Sequence, residues 1–234
     1  MLLEVCVDDP TGLTEAIAGG ADRIELCAAL GIGGLTPSAG LMERAASTAL
    51  PCYPMIRPRT GDFVFSAAEV AVMRADIRTA RATGLTGVVL GASRADGSLD
   101  AATLATLIAE AEGLDLTLHR AIDLAPDVEA AVELAIKLGF RRILTSGGAG
   151  RAVQGIARLE RMIATAAGRL VIMPGSGISA ETWPRLAHLR LTEVHASCAE
   201  PVAAPAQVLA FGFATGNEKR TSRGQVAALK ALFA

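Results

Sequence analysis

Gly19-Gly20-Ala21-Asp22, followed by Arg23-Ile24-Glu25-Leu26-Cys27, joins two signals that decide the fold. A glycine at the end of a helix supplies a left-handed cap and turns the chain back. The residues after it alternate, with Ile24 and Leu26 on one side and Glu25 and Cys27 on the other, which is the period of a strand. The same order of helix tail, glycine and strand recurs at Thr83-Gly84-Leu85-Thr86 and at Leu138-Gly139-Phe140-Arg141. Working outward, eight strand-like runs can be marked, at residues 2–7, 22–27, 52–57, 86–91, 115–120, 141–146, 169–173 and 192–197.

The segments between these runs carry helix starts. Asp9-Pro10 places a capping residue before a proline at the first helical position, and Thr36-Pro37 is read the same way. Ser66-Ala67-Ala68-Glu69 is a capping box ahead of a helix that stops at Gly84. Further helices are expected from about Asp100, from Pro126 to Gly139, and after Ser179 through Trp183.

Alternating strands and helices give a parallel sheet. Eight such units in 234 residues predict an α/β fold, a single-domain (β/α)8 TIM barrel, since that length is usual for one. The competing fold is a doubly wound open sheet. It calls for a glycine-rich turn after the first strand, and Val7-Asp8-Asp9-Pro10 is not one. The barrel is assigned to residues 1–200, and residues 201–234 to a C-terminal extension on or beside it. In that extension, residues 216–224 read as an exposed basic loop before a short apolar helix, Gln225–Phe233.

Composition narrows the function. Net charge is −2 and aromatic content only 3%, with no basic run, so neither the electrostatic footprint nor the stacking surface of a nucleic-acid binder is present. No charge-free apolar stretch reaches membrane-spanning length, and the chain enters a strand-like run at once, unlike a signal peptide. Cys6, Cys27, Cys52 and Cys198 are scattered, unlike a secreted disulfide framework. A cytoplasmic protein with reduced thiols is expected.

Strand alternation also sorts the reactive side chains. Leu3, Val5 and Val7 oppose Glu4, Cys6 and Asp8, Leu116 and Leu118 oppose Thr117 and His119, and Val194 and Ala196 oppose His195 and Ser197. The polar set facing the barrel interior then contains Glu4, Cys6, Glu25, Cys27, Arg57, His119 and His195. A barrel filled for stability carries Val, Ile and Leu there, so this set is expected at a wet mouth or in mutual neutralisation. Singly, each residue has a plain structural reading: salt partners for Glu4 and Glu25 in Arg57 and Arg23, a hydrogen-bonded core histidine, a packed thiol. Two glycine turns, Ser146-Gly147-Gly148 and Gly175-Ser176-Gly177, follow the sixth and seventh strands. Their amides suit a small anion, with Arg57 and Arg59 as countercharge. Tight turns alone are the plainer reading.

Several segments together are similar to the CutC copper homeostasis family: Leu3-Glu4-Val5-Cys6-Val7, residues 20–27, Gly33-Gly34-Leu35-Thr36-Pro37-Ser38, Met55-Ile56-Arg57-Pro58-Arg59, His119-Arg120-Ala121, Arg142-Ile143-Leu144-Thr145-Ser146-Gly147-Gly148 and Ile172-Met173-Pro174-Gly175. The resemblance covers about the first 200 residues. It departs where Leu118 and Ile122 stand at common phenylalanine positions and Ser176 at a glycine. It implies a cytoplasmic (β/α)8 barrel, commonly oligomeric, so a homodimer or higher homo-oligomer is expected. It also implies an association with copper, with Cys6 and Cys27 at the family's copper-binding cysteines.

Two functions follow. One is copper binding, as Cu(I), at Cys6 and Cys27 with a nitrogen from His119 or His195, since adjacent strands lie about 5 Å apart and thiolates suit a soft ion. The other is an enzyme, a lyase, isomerase or hydrolase, acting on a small anionic sugar-like or phosphorylated metabolite. There Glu4 or Glu25 is the base, His119 or His195 the acid, and Arg57 with the glycine turns holds the anion. A noncatalytic binding barrel is a third reading.

Overall fold

The computed structural model describes residues 1–233. Its parallel strands are β1 (Leu2–Val7), β2 (Arg23–Leu26), β3 (Cys52–Pro54), β4 (Gly87–Leu90), β5 (Asp115–Leu118), β6 (Arg142–Thr145), β7 (Val171–Pro174) and β8 (Glu193–Ala196). Helices α1 (Pro10–Ala18), α2 (Ala39–Ala46), α3 (Ala67–Ala82), α4 (Ala101–Glu110), α5 (Val128–Lys137) and α6 (Ile156–Ala166) connect the first seven. This is the (β/α)8 TIM-barrel fold. The strands form two hydrogen-bonded arcs, β3-β2-β1-β8 and β4-β5-β6-β7. A single parallel bridge, Met55 to Val89, joins β3 to β4, with the Ile56 amide donating to the Val89 carbonyl at 2.8 Å. Among the described residues no backbone ladder spans β7 and β8. There Gly175, just after β7, lies close against the His195 ring of β8: a Cβ on it would stand 3.2 Å from Cδ2.

Local chemistry explains the element starts. Asp9 accepts from the Gly12 amide at 2.7 Å, with Pro10 in the first turn of α1. Ser66 and Glu69 form the reciprocal capping box of α3. Two starts differ from expectation. Ser38 rather than Thr36 caps α2, because the Thr36 hydroxyl is engaged with the Arg57 backbone at 3.0 and 3.2 Å. No α-helix forms around Trp183: Ser179 and Thr182 close a local side-chain-to-backbone ring, Pro184 follows, and two 3-10 turns, Trp183–Arg185 and Ala187–Leu189, replace it.

The apolar half of each strand faces the helices. Leu3, Val5, Val7, Ile24, Leu26, Leu118, Ile143 and Val194 are fully buried in one continuous core with Leu13, Met73, Ile77 and Leu104 from the helices. Each such side chain contributes about 1.5–3 kcal/mol. The C-terminal segment adds an antiparallel hairpin, β9 (Ala199–Pro201) with β10 (Lys219–Thr221), and helices α7 (Ala206–Ala210) and α8 (Arg223–Lys230). Part of the expected basic loop is thus a strand. Val226 and Leu229 of α8 enter the main core, and Gly19 is glycine because a Cβ there would meet that of Val226 at 2.5 Å.

Candidate functional site

The polar half of each strand fills the barrel interior with charge. At the lower level Arg23 bonds both Glu4 and Glu193 and reaches Met173 Sδ at 3.2 Å. Arg142 donates to Glu193 at 3.1 Å, to the Thr117 hydroxyl at 3.1 Å and to Asp115 at 2.8 Å. Tyr53 donates to Asp115 at 2.7 Å, and both guanidiniums lie over its ring, with Cζ atoms 5.4 and 5.3 Å from the centroid. Burial, the Asp115 hydrogen bond and its charge push the Tyr53 phenol up to about 12. The charges of this layer are paired with one another, and it forms the floor beneath the site.

Above it the register brings Cys6 level with Glu25 and Glu4 level with His195. Nδ1 of His195 lies 2.8 Å from Oε1 of Glu4, and Nε2 lies 3.6 Å from Glu25. Burial raises the Glu4 carboxyl, but Arg23 and His195 outweigh it and bring it down to about 2. For His195, burial opposes charging, yet Glu25, Cys6 and Glu4 hold its pKa well above the ordinary value. Burial and the Glu4 charge raise Glu25, against the pull of His195. Cys6 Sγ, a Glu25 oxygen and a His195 nitrogen all lie within 4.8 Å of one another. Oε1 of Glu25 is buried with no hydrogen-bond partner.

These groups line a cavity of about 290 Å³ at the carboxyl ends of the strands, together with Arg57, Phe63, His119 and Arg120. Of the residues assigned inward by strand alternation, Cys6, Glu25, Arg57, His119 and His195 line this one cavity. Glu4, in register with His195, is fully buried and is not among the residues that line the cavity. Cys27 is displaced from the group. Its thiol donates to Glu25 at 3.6 Å and packs with Tyr53, Met55 and Val89, and burial with the Glu25 charge pushes it well above the usual thiol range.

The expected glycine-turn anion site requires correction. The nest at Ser146-Gly147-Gly148 already holds an anion, the Asp123 carboxylate. It accepts from the amides of Ser146 at 3.1 Å and Gly148 at 2.9 Å, and from the hydroxyls of Thr145 at 2.5 Å and Ser146 at 2.9 Å. The Gly147 amide donates to the Thr145 hydroxyl at 2.9 Å. Gly175 donates to the Thr145 carbonyl at 2.9 Å and is small because a Cβ would strike Leu144 at 2.5 Å. Ser176 donates to the Gly150 carbonyl at 2.7 Å and forms the rim with Gly177. Arg59 lies outside the cavity, clamped by Glu69 and Asp62 and stacked on Phe65.

Six residues of this network, Tyr53 among them, are not in the set marked from the sequence pattern. Asp115, Arg142 and Glu193 stand two residues before, or at the strand level below, groups already assigned inward, so the same alternation carried one step further would find them. Asp123 stands three residues after Arg120, which it pairs with at 2.8 Å, but its role depends on a loop 23 residues away. Phe63 lies in an irregular loop, where no periodicity marks it.

Comparison with known proteins agrees with this architecture. The CutC family model matches residues 1–200. A CutC family protein of Sinorhizobium medicae is 56% identical over 237 residues, covering 99% of this chain and 95% of the relative. One from Caulobacter vibrioides is 49% identical over 237 residues, covering 99% and 97%. The crystal structure assigned to copper homeostasis protein CutC of Streptococcus agalactiae superposes with a TM-score of 0.80 at 30% identity, covering 84% of this chain and 98% of that one. The 3-hexulose-6-phosphate synthase of Salmonella typhimurium, at 14% identity and a TM-score of 0.62 over 99% of this chain and 98% of that one, shares the fold alone. With the match running through the strands that carry Cys6, Glu25, Arg57, His119 and His195, the chain belongs to the CutC family.

Proposed function

We propose that this protein binds copper, as Cu(I), in copper homeostasis, at Cys6, His195 and Glu25. The observation that carries the reading is the mutual approach of these three donors within 4.8 Å on the wall of one cavity. The donor set fits the ion: a thiolate is soft, an imidazole suits copper, and both outrank a carboxylate for Cu(I). The unpartnered Glu25 oxygen is an acceptor that a cation would satisfy. Glu4 supports the set from behind. It accepts the hydrogen bond of His195 Nδ1–H and leaves Nε2 toward Cys6 and Glu25, the carboxylate–histidine arrangement that orients metal-bound imidazoles. The four cysteines are free thiols, which suits the reduced cytoplasmic setting we assign to the protein.

Because His195 is held as an imidazolium, the ion must displace a proton, so uptake is favoured as pH rises. The test is a titration of reduced protein with Cu(I) against a competing chelator. Cys6→Ser and His195→Asn are expected to lower affinity by more than about tenfold. Unchanged affinity in Cys6→Ser would overturn the assignment.

A further inference from the structure

Across the cavity from Cys6 stand two donors that the metal reading leaves unused. Arg57 is 6% exposed and has no carboxylate partner. Its terminal nitrogens donate to the carbonyls of Ile32 at 3.4 Å, Gly34 at 3.1 Å and Gly61 at 2.8 Å, and Nε has no partner. One face of the guanidinium covers Phe63, with Cζ 5.0 Å from the ring centroid. Every other buried guanidinium in the barrel, Arg23 and Arg142, is paired with carboxylates. A buried cation left with only carbonyl partners is costly, and its position at a cavity wall says what would relieve it.

His119 also packs on Phe63, with ring centroids 4.7 Å apart, and is 2% exposed. Its Nδ1 accepts from the Ala121 amide at 3.1 Å. A ring nitrogen that accepts carries no proton, so Nε2 carries it and the imidazole is neutral. That Nε2–H is buried without a partner. Burial and the Arg57 charge bring the His119 pKa down to about 3, in keeping with the neutral ring.

We propose that this wall binds a small monocarboxylate, with Arg57 Nε–H and His119 Nε2–H donating to its carboxylate oxygens. The charge count selects the class. One guanidinium has no carboxylate partner and its companion donor is neutral, so at this wall one negative charge is matched and two are not. The rest of the cavity and its floor hold four carboxylates, Glu4, Glu25, Glu193 and Asp115, against three cations, Arg23, Arg142 and His195, and that excess negative charge opposes a phosphate dianion more than a monoanion. A hydroxyl on the same small acid suits the unpartnered Glu25 oxygen, making a short hydroxyacid the best-fitting member for a cavity of about 290 Å³. The site uses neither Cys6 nor His195; only the hydroxyl contact to Glu25 is shared with the copper reading, and the carboxylate contacts to Arg57 and His119 stand whether or not copper binds.

The experiment titrates metal-free, reduced protein with glycolate, acetate and inorganic phosphate, reading heat and the ¹⁵N resonances of His119. Saturable binding of glycolate and acetate is expected, with a shift of the His119 Nε2 signal and phosphate weaker than both. Arg57→Gln is expected to weaken glycolate binding about tenfold to a hundredfold, and Arg57→Lys, which keeps the charge, less. Each variant is checked for cooperative unfolding. Should Arg57→Gln fail to fold, His119→Phe serves as the second variant, with the same expected loss. Absence of carboxylate binding to the wild type, phosphate binding more tightly than glycolate, or glycolate binding unchanged in the folded variants would overturn the proposal. Cu(I) titration of Arg57→Gln is expected to match the wild type, so failure of this site and of the copper site read out separately.

Discussion

Nδ1 of His195 lies 2.8 Å from Oε1 of Glu4, and Glu4 also bonds Arg23. A carboxylate held at about 2 can only accept, so Nδ1 of His195 carries a proton toward it and Nε2 turns to the cavity. One buried residue thus ties the floor of the barrel to its mouth. Glu4→Gln removes the charge from between Arg23 and His195. Because it breaks a buried ion pair and leaves a partner unmatched, it is expected to cost about 3–5 kcal/mol in urea denaturation. It is also expected to lower Cu(I) affinity about tenfold to a hundredfold. Wild-type stability in this variant would show that the link between floor and mouth is not energetic.

The same network fixes how stability responds to acid. His119 is lowered from the usual 6.5 to about 3. The native ring stays neutral while the unfolded one protonates, so its contribution is present above pH 6.5 and is lost as pH falls toward 3. Glu4 is lowered from 4.5 to about 2, so its contribution is present above 4.5 and is lost between 4.5 and 2. His195 has the opposite sign: its contribution is complete below the usual histidine value and is lost as pH rises through its elevated one. Each group accounts for a slope of about 1.4 kcal/mol per pH unit within its window. Urea denaturation at stepped pH should show stability falling below 6.5 and more steeply below 4.5. In His119→Gln the upper part of that limb should flatten, and an unaltered slope there would exclude His119 as its source.

Asp123 explains why the glycine turn after β6 is not an open anion site. Its carboxylate gathers the Ser146 and Gly148 amides, the Thr145 and Ser146 hydroxyls and the Arg120 guanidinium. Asp123→Ala leaves these donors without their acceptor, and a loss of about 3 kcal/mol or more is expected. The vacated nest should then accept an external anion. Added sulfate is expected to raise the melting temperature of Asp123→Ala by more than that of the wild type. Equal responses would mean that the loop collapses when its internal anion is removed.

Strand period and helix punctuation made the barrel legible because both are local. Asp9-Pro10 and the Ser66–Glu69 box announce α1 and α3 within four residues, and the alternation around Glu25 and His195 states which side chains face inward. What stayed hidden depends on contacts between distant segments. The Asp123 carboxylate reaches Ser146, 23 residues on, and Arg57 meets only carbonyls while Glu4 and Glu25 lie against Arg23 and His195. The helix expected at Trp183 gave way to the Ser179–Thr182 hydrogen-bond ring, a competition that propensity does not register.

The two cysteines of the expected copper pair illustrate the same limit, and they separate experimentally. Cys6 and Cys27 end neighbouring strands, but the register aligns Cys6 with Glu25, two residues before Cys27. Cys27 therefore stands one inward step higher, where a Cβ on Gly34 would come within 3.1 Å of its sulfur and Met55 closes the space. Its thiol gives its hydrogen to Glu25 and is pushed well above the usual range by burial and that carboxylate. A thiol that resists ionisation is a poor ligand, since the thiolate is the donor. Cys27→Ala is expected to leave Cu(I) affinity within about threefold of wild type, below what loss of even a supporting partner costs, while Cys6→Ala lowers it by more than about tenfold. Chelator competition with both variants checks the contrast. Equal losses would mean that the ion draws Cys27 across to Cys6, and the donor set would then be two thiolates in place of a thiolate with Glu25.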